Sequence, residues 1–361
     1  MKRICYFVSP HGFGHATRAA AVICALQKAE PNLEVIVITT VPRKLFDQSV
    51  VRPVSYFRYM SDVGLVQSTP LEEDLPATMR LLDEMLPFET GMVRDLVERL
   101  SAWDCELIVC DIAPLGIAVA REAGVPSLLI ENFTWDWIYN EYVQEVPDIV
   151  RHVEYLETLF DKADFRIRAQ PVCGNRVCDL IVKPIFRSPR RSAPQVREKL
   201  GITNSAKLVL VTMGGTPAGW SPHGELHSRS DVKFVVPSSD GPFGITGSVV
   251  RVPVLGDLFH PDLVGAADAV ITKLGYSTVA EALGVGVPVG YITRPRFRES
   301  AVLEQFIREQ VPTIEIGAES FDSQNWANQL SELLRRPRGQ AALHNGAGEA
   351  AGFILEKISS S

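Results

Sequence analysis

A chain of 361 residues, 46% hydrophobic and 22% charged, has the composition of a globular protein large enough for two domains. The net charge of −7 argues against a broad nucleic-acid-binding surface, which needs clustered Lys and Arg. No apolar run reaches the roughly 18 residues that a transmembrane helix requires. We therefore expect a cytoplasmic protein without a transmembrane segment or a nucleic-acid partner.

Strand-like apolar runs alternate with helical patterns along the chain. The predicted strands of the first half lie near 3–9, 34–40, 106–110 and 126–130. The predicted helices between them cover 16–29, 74–100 and 113–123. After a segment rich in proline and arginine at 184–194, further strands are predicted near 207–212, 232–236, 249–252, 269–272, 288–292 and 312–316. This alternation predicts an α/β fold with two doubly wound, Rossmann-like domains that face a cleft.

The loop after the first predicted strand carries two histidines, His11 and His15, between glycines. His15 begins a helix, where the positive end of the dipole keeps imidazole neutral and able to accept a proton. Asp111 ends the strand at 106–110 on the same rim, where its carboxylate could hold the other ring nitrogen. Capping of a helix is the open alternative for both residues, and His11 is the rival base.

A second turn, at 275–281, follows the apolar run at 269–271. Gly275 permits a tight turn, and Ser277 and Thr278 are residue types that cap helices. The N–H groups and dipole at such a helix start form an anion site that suits a diphosphate. Glu281, one turn further, can accept hydrogen bonds from a ribose diol. An ordinary strand–turn–helix unit is the open alternative.

Polar and aromatic residues follow the predicted strand at 126–130. Sugars stack on aromatic rings and form hydrogen bonds with amides and carboxylates. Glu131, Asn132 and Trp135 are therefore candidate acceptor contacts, together with His11.

These motifs resemble those of glycosyltransferases with the GT-B fold. Residues 275–281 are similar to the Gly-x-x-Thr-Val-x-Glu pattern of the peptidoglycan N-acetylglucosaminyltransferases that act on lipid I. In that pattern the small residues meet the diphosphate and Glu binds the ribose. The turn at 214–216 resembles the Gly-Gly-Ser phosphate loop of the same enzymes. The loop at 11–18 resembles the glycosyltransferase-like domain of plant L-arabinokinases, and the spacing of His15 and Asp111 is similar to the dyad of plant UDP-dependent glycosyltransferases.

The resemblance implies a catalytic pair, His15 and Asp111, and a set of nucleotide- and phosphate-binding residues. That set is Gly14, Gly214, Gly215, Thr216, Gly275, Tyr276, Ser277, Thr278 and Glu281. The Asp-Gln or Gln-Gln pair that usually contacts the donor sugar is replaced by Arg298-Glu299-Ser300. Weaker candidates for contacts with the donor sugar or the base are Leu258, Phe259, Arg187, Glu299 and Ser300.

The resemblance also implies an acceptor-side domain at 1–186, a nucleotide-sugar-binding domain at 187–345 and a final helix within 346–361 that packs back on the first domain. The implied activity is sugar transfer from a nucleotide-diphosphate sugar, most simply UDP-linked, to an acceptor hydroxyl. Inversion is expected, and no metal or cofactor is expected, because the nucleotide-sugar is a substrate.

Two other functions stay open at this point. A UDP-sugar 2-epimerase could use Asp111 and Glu131 as acid–base carboxylates, and a non-catalytic module could bind a nucleotide-sugar without turnover. The acceptor is equally open between a lipid-linked molecule, which would place the protein at the inner face of the membrane, and a small molecule.

Overall fold

The computed structural model describes residues 2–203, 205–214, 224–238, 242–342 and 344–359. The strands of the first half are β1 Arg3–Val8, β2 Glu34–Thr39, β3 Ser55–Arg58, β4 Gln67–Thr69, β5 Glu72–Glu73, β6 Leu107–Asp111, β7 Ser127–Glu131, β8 Phe165–Ala169 and β9 Leu180–Val182. Those of the second half are β10 Lys207–Thr212, β11 Val232–Ser238, β12 Gly244–Thr246, β13 Val249–Pro253, β14 Ala269–Lys273, β15 Val289–Ile292 and β16 Thr313–Glu315.

The first helices are α1 Gly14–Ala29, α2 Arg43–Ser49, α3 Leu75–Met85, α4 Thr90–Trp103, α5 Pro114–Ala123, α6 Trp135–Tyr139, α7 Val150–Phe160 and α8 Ala193–Lys199. The later ones are α9 Gly224–His227, α10 His260–Ala266, α11 Tyr276–Val285, α12 Glu299–Gln310, α13 Ala318–Asp322, α14 Ala327–Arg335 and α15 Gly346–Ser359. Short 3₁₀ helices lie at Asn140–Tyr142 and Pro147–Ile149. Among the described residues, no helix is long and apolar enough to cross a membrane.

Two seven-stranded sheets organise the molecule. The first is parallel throughout, in the order β3-β2-β1-β6-β7-β8-β9. The second has the order β12-β13-β11-β10-β14-β15-β16, and its antiparallel pair is β12 with β13. In each sheet the strand order reverses beside the first strand, β1 or β10, and ligands of open α/β sheets bind at such points. The predicted α/β fold with two Rossmann-like domains is confirmed.

The single helix predicted over 74–100 is wrong. Two helices, α3 and α4, occupy this range, and they are separated at residues 86–89. Pro87 has no N–H to donate and disfavours a helical conformation at Leu86, so the helix ends before it.

The last helix, α15, packs against α1 and near β9. Both helices present buried alanines to the core that they share, among them Ala16, Ala20, Ala350 and Ala351. Small side chains let two helices approach closely. The helix therefore returns from the second half of the chain to the first domain; the boundary between residues 186 and 187 stays a prediction.

Candidate functional site

Glycine-rich turns from both domains meet in the cleft. Gly12 has a φ of +61°, and a Cβ there would lie 3.9 Å from the carbonyl oxygen of Gly214. A Cβ on Gly14 would lie 3.8 Å from Oγ of Ser277. The loop after β1 thus lies against the turn after β10 and against the start of α11.

His15 and Asp111 are in hydrogen-bond contact at the carboxyl ends of β1 and β6. Val8 pairs with Asp111 in the sheet, which brings the loop after β1 to the same edge. Nδ1 of His15 lies 3.1 Å from Oδ1 of Asp111, and both side chains are buried. Burial lowers the pKa of His15 below its ordinary value, although the Asp111 carboxylate opposes this. The ring is therefore neutral near pH 7 and able to accept a proton.

Arg18 joins this pair, and the sequence analysis assigned it no role. Its Nε donates to Oδ2 of Asp111 at 2.9 Å and its Nη2 donates to Oδ1 at 2.6 Å. Burial alone would raise the pKa of Asp111, but the charge of Arg18 holds it below its ordinary value. The guanidinium also lies 3.3 Å from Nδ1 of His15, where its charge opposes an imidazolium. Arg18 follows His15 by three residues on one face of α1, a spacing that could have revealed the contact.

A chain of buried polar contacts continues from Arg18 across the cleft. Nη1 of Arg18 donates to Oδ1 of Asn132 at 2.6 Å, and Nδ2 of Asn132 donates to Oε1 of Glu299 at 2.6 Å. Burial raises the pKa of Glu299 to about 7 despite this hydrogen bond. The contact joins the first domain to the start of α12 in the second.

His11 lies on the same loop but in a different environment. Its Nδ1 accepts a hydrogen bond from the N–H of Leu65 at 3.3 Å. Burial, and then the charge of His15, place its pKa well below the ordinary value. A neutral ring that accepts at Nδ1 carries its proton on Nε2, which makes it a donor there. The ring of Trp135 meets it edge-on at 5.1 Å, while Nε1 of Trp135 donates to the Asp62 carboxylate at 3.2 Å.

Glu281, the predicted ribose ligand, is buried within the second domain, and its carboxylate already contacts Arg187 and His260. Nε of Arg187 donates to its Oε1 at 2.9 Å, and Nδ1 of His260 lies 2.7 Å from its Oε2. Burial would raise the pKa of Glu281, but Arg187 and His260 lower it below its ordinary value. Leu258 lines the cavity beside Glu281. Phe259 instead lies beneath the guanidinium groups of Arg187 and Arg190.

Two cationic side chains of the second domain that the sequence analysis did not single out lie at the cleft. Lys273 ends β14 and is buried, and burial together with the charge of Arg294 lowers its pKa to about 7. The guanidinium of Arg294 lies 4.1 Å from the centre of the Phe297 ring. Both cations line the same cavity as His15.

The remaining predicted residues are distributed as follows. Tyr276 accepts the N–H of Ile185 at 3.0 Å, and its ring lies under Arg18. Ser300 is buried at the start of α12, and Oγ of Ser300 has no hydrogen-bond partner among the described residues. Glu131 is not in the cleft, because Arg166 holds its carboxylate inside the first domain at 3.0 Å. Gly215 and Thr216 lie outside the described residues.

Two adjoining cavities of about 80 Å³ each occupy the cleft. One is lined by His15, Lys273, Arg294 and Glu299, and the other by Leu258 and Glu281. Residues that line both cavities are Phe13, Gly214, Ser277 and Thr278. The start of α11 therefore lies between the cavity that contains Glu281 and the cavity that contains His15. Within the described residues, no three His, Cys, Asp or Glu side chains are grouped so that they could hold a metal ion.

No family model matches the chain. L-arabinokinase of Arabidopsis thaliana is 28% identical over 360 residues, which are 98% of this chain and 34% of that protein. The chain thus spans about a third of the length of this relative. A UDP-N-acetylglucosamine–N-acetylmuramyl-(pentapeptide) pyrophosphoryl-undecaprenol N-acetylglucosamine transferase of Acetivibrio thermocellus is 23% identical over 308 residues, 78% of this chain and 75% of that protein.

Solved structures decide the fold. The spinosyn forosaminyltransferase SpnP superposes with a TM-score of 0.59 at 17% identity, covering 100% of this chain and 95% of that one. UGT89C1 of Arabidopsis thaliana, solved with UDP, gives a TM-score of 0.62 at 15% identity and covers 99% of both chains. The chain has the GT-B fold. The resemblance to GT-B glycosyltransferases is thereby confirmed.

The GT-B fold alone does not fix the reaction. A putative UDP-N-acetylglucosamine 2-epimerase from Listeria monocytogenes has a TM-score of 0.60 at 14% identity and covers 99% of this chain and 96% of that one. The reaction therefore depends on the side chains that line the cleft.

Proposed function

We propose that the protein is a glycosyltransferase that moves a sugar from a nucleotide-diphosphate sugar, UDP-linked, to an acceptor hydroxyl with inversion. The observation that carries this proposal is the contact of His15 with Asp111, at a cavity whose other wall includes the start of α11. One domain would supply the base and the other the site of the leaving group. The transferases among the similar proteins support the same reaction class.

His15 would act as the base. With Nδ1–H donated to Asp111, Nε2 is free to take the proton of the acceptor hydroxyl. The hydroxyl oxygen attacks the anomeric carbon as the bond from that carbon to the diphosphate oxygen breaks, and the bonding electrons leave with the diphosphate. Attack opposite the departing group inverts the anomeric centre. Asp111 stabilises the imidazolium that forms, and Arg18 keeps Asp111 ionised and fixed in place.

The charge that grows on the diphosphate would be met by the second domain. The first N–H groups of α11, near Ser277 and Thr278, have no partners within the helix and carry the positive end of its dipole. Lys273 adds a cationic group on the same wall. An arriving diphosphate favours the protonated form of Lys273, so this lysine gains charge where charge is needed. The proposal needs no metal ion for this step.

Glu281 would bind the ribose. Its Oε2 now contacts His260, which is a quarter exposed and could turn away when a diol takes its place. Arg187 would continue to hold Oε1, so that the carboxylate stays ionised while the ribose binds.

A 2-epimerase is the second candidate, and the observation that favours it is Glu299. This buried carboxyl lines the cavity with His15, and burial raises its pKa to about 7, a value that suits acid–base work. Asp111 and Glu131, the carboxylates first considered for this role, are both held by arginines.

The test begins with calorimetric titration of UDP, GDP, ADP and dTDP. We expect UDP to bind and UDP-sugars to release UDP when an acceptor is present, with an inverted anomeric product. His15→Ala should lower turnover about a hundredfold or more with UDP affinity unchanged. His11→Ala is the matched control and should lower turnover far less, because His11 is a donor and not a base. Release of a free 2-epimer without an acceptor would identify an epimerase, and UDP binding without turnover would identify a binding module.

A further inference from the structure

A hairpin of the first domain crosses the cleft to the second. Its strands, β4 and β5, pair Gln67 with Glu73. Nζ of Lys273 donates to the carbonyl oxygen of Pro70 at 3.3 Å, and Nη2 of Arg294 donates to Oε1 of Glu73 at 2.7 Å. The side chains of Arg294 and Glu73 are 4% and 1% exposed, so this ion pair is buried.

The hydrogen bonding of this pair is incomplete. Arg–carboxylate pairs often form two parallel hydrogen bonds, but here Nε of Arg294 and Oε2 of Glu73 have no partner among the described residues. Nε2 of Gln67, which pairs with Glu73 in the hairpin, has none either. Buried polar atoms in folded proteins almost always have partners, so three neighbouring exceptions indicate that something else binds there.

The three groups lie beside the proposed base. Gln67 and Arg294 line the same cavity as His15, and Glu73 lines a neighbouring cavity of about 720 Å³. Aromatic rings border them, since Phe297 lies under Arg294 and meets Phe133 edge-on at 6.0 Å. Two donors and one carboxylate acceptor beside apolar rings match the hydroxyls and the apolar face of a saturated ring.

We propose that Gln67, Glu73 and Arg294 form a hydroxyl-binding site for the acceptor, which is a polyhydroxylated ring, a sugar or a cyclitol. One hydroxyl donates to Oε2 of Glu73 and accepts from Nε of Arg294, and another accepts from Nε2 of Gln67. A flat polyphenol holds its hydroxyls in the plane of an aromatic ring, whereas the hydroxyls of a saturated ring project to different levels. The polyphenol would therefore leave some of the buried groups unpaired, which is unfavourable. This assignment rests on the proposed transferase function, because the site orients the hydroxyl that His15 deprotonates.

The experiment compares three classes of acceptor with UDP-sugars in an assay of UDP release: the free rings D-glucose and myo-inositol, octyl glucoside as a lipid-linked sugar, and quercetin as a flat polyphenol. We expect a polyhydroxylated ring to be the substrate. Gln67→Leu should raise its KM tenfold or more and leave the affinity for UDP within twofold. Glu72→Gln, at the exposed neighbour of Glu73, is the matched control and should leave KM unchanged.

Two results would overturn the assignment. One is transfer to quercetin in preference to every polyhydroxylated ring. The other is an unchanged KM in both Gln67→Leu and Glu73→Gln, which would mean that the three groups hold only trapped water. Transfer to octyl glucoside but not to the free rings would show that the polyhydroxylated acceptor is part of a lipid-linked molecule.

Saturation-transfer NMR with D-glucose and myo-inositol, in the presence of UDP, tests the site without turnover. If either ring binds the wild-type protein but not Gln67→Leu, the result supports the site even when no transfer occurs. The proposal of transferase activity can therefore fail while the proposed site stands. If the wild-type protein binds UDP but neither D-glucose nor myo-inositol, the proposed site is refuted.

Discussion

Replacing Glu299 with Gln should change how the stability of the protein depends on pH. Burial raises the pKa of this carboxyl from 4.5 to about 7, although Asn132 donates a hydrogen bond to it. A carboxyl with a higher pKa in the folded state binds its proton more tightly there, so its contribution to stability falls as the pH rises from 4.5 to about 7. A difference of one in pKa corresponds to about 1.4 kcal/mol, so the difference of roughly 2.5 limits the loss of unfolding free energy to roughly 3 kcal/mol.

Gln keeps an oxygen that accepts from Asn132 but carries no titrating proton. We therefore expect Glu299→Gln and the wild-type protein to have similar free energies of unfolding near pH 4.5. At pH 8 the variant should be more stable by up to roughly 3 kcal/mol. Urea unfolding at several pH values, followed by tryptophan fluorescence, measures this difference. Asp62 and Lys273, whose pKa values also lie at about 7, titrate in both proteins and cancel. A difference that stays constant from pH 4.5 to 8 would refute the reasoning.

Two further predictions concern the nucleotide site and the base. Glu281→Gln should weaken UDP binding by roughly 1–3 kcal/mol in calorimetric titration, because a charge-assisted hydrogen bond to the ribose is lost. Unchanged affinity would remove Glu281 from the ribose role, and Glu319→Gln, at an exposed position of α13, is the control. Arg18→Gln should raise the pKa of His15 in NMR titration of labelled histidines, since the positive charge that opposes the imidazolium is gone. A fall in the pKa of His15 would contradict this electrostatic explanation.

The main strands of both domains could be predicted because they are continuous apolar runs. Strands such as β1, β6, β10 and β14 are buried on both faces, which gives the sequence a signal that does not depend on tertiary context. The short strands were missed, among them β3 at the sheet edge and the hairpin of β4 and β5. Their residues are partly exposed and carry no apolar run.

The site could be predicted only where a residue follows a strand end. The loop that carries His15 and the residue Asp111 follow neighbouring strands of one sheet, and the turn at 275–278 follows a strand of the other, so the topology places each at the carboxyl edge of its sheet. Arg18, Arg294 and Glu73 could not be placed in this way. Their roles depend on contacts between residues that are 93 and 221 positions apart in the chain. The contact of Arg18 with Asp111 is set by how α1 and β6 pack within the first domain, and the contact of Arg294 with Glu73 by how the two domains meet. Local sequence patterns do not encode how the domains meet.

The path of the chain between the domains determines how one domain can be deleted without interrupting the other. The two crossings lie side by side: Asn345 donates to the carbonyl oxygen of Phe186 at 2.6 Å, and the N–H of Gly346 donates to that of Pro184 at 3.1 Å. A Cβ at Gly346 would overlap the carbonyl oxygen of Lys183, so this approach requires glycine. In topological terms the second domain is an insertion between β9 and α15. Joining residue 186 directly to residue 345 would excise it and leave the first domain continuous with its own last helix.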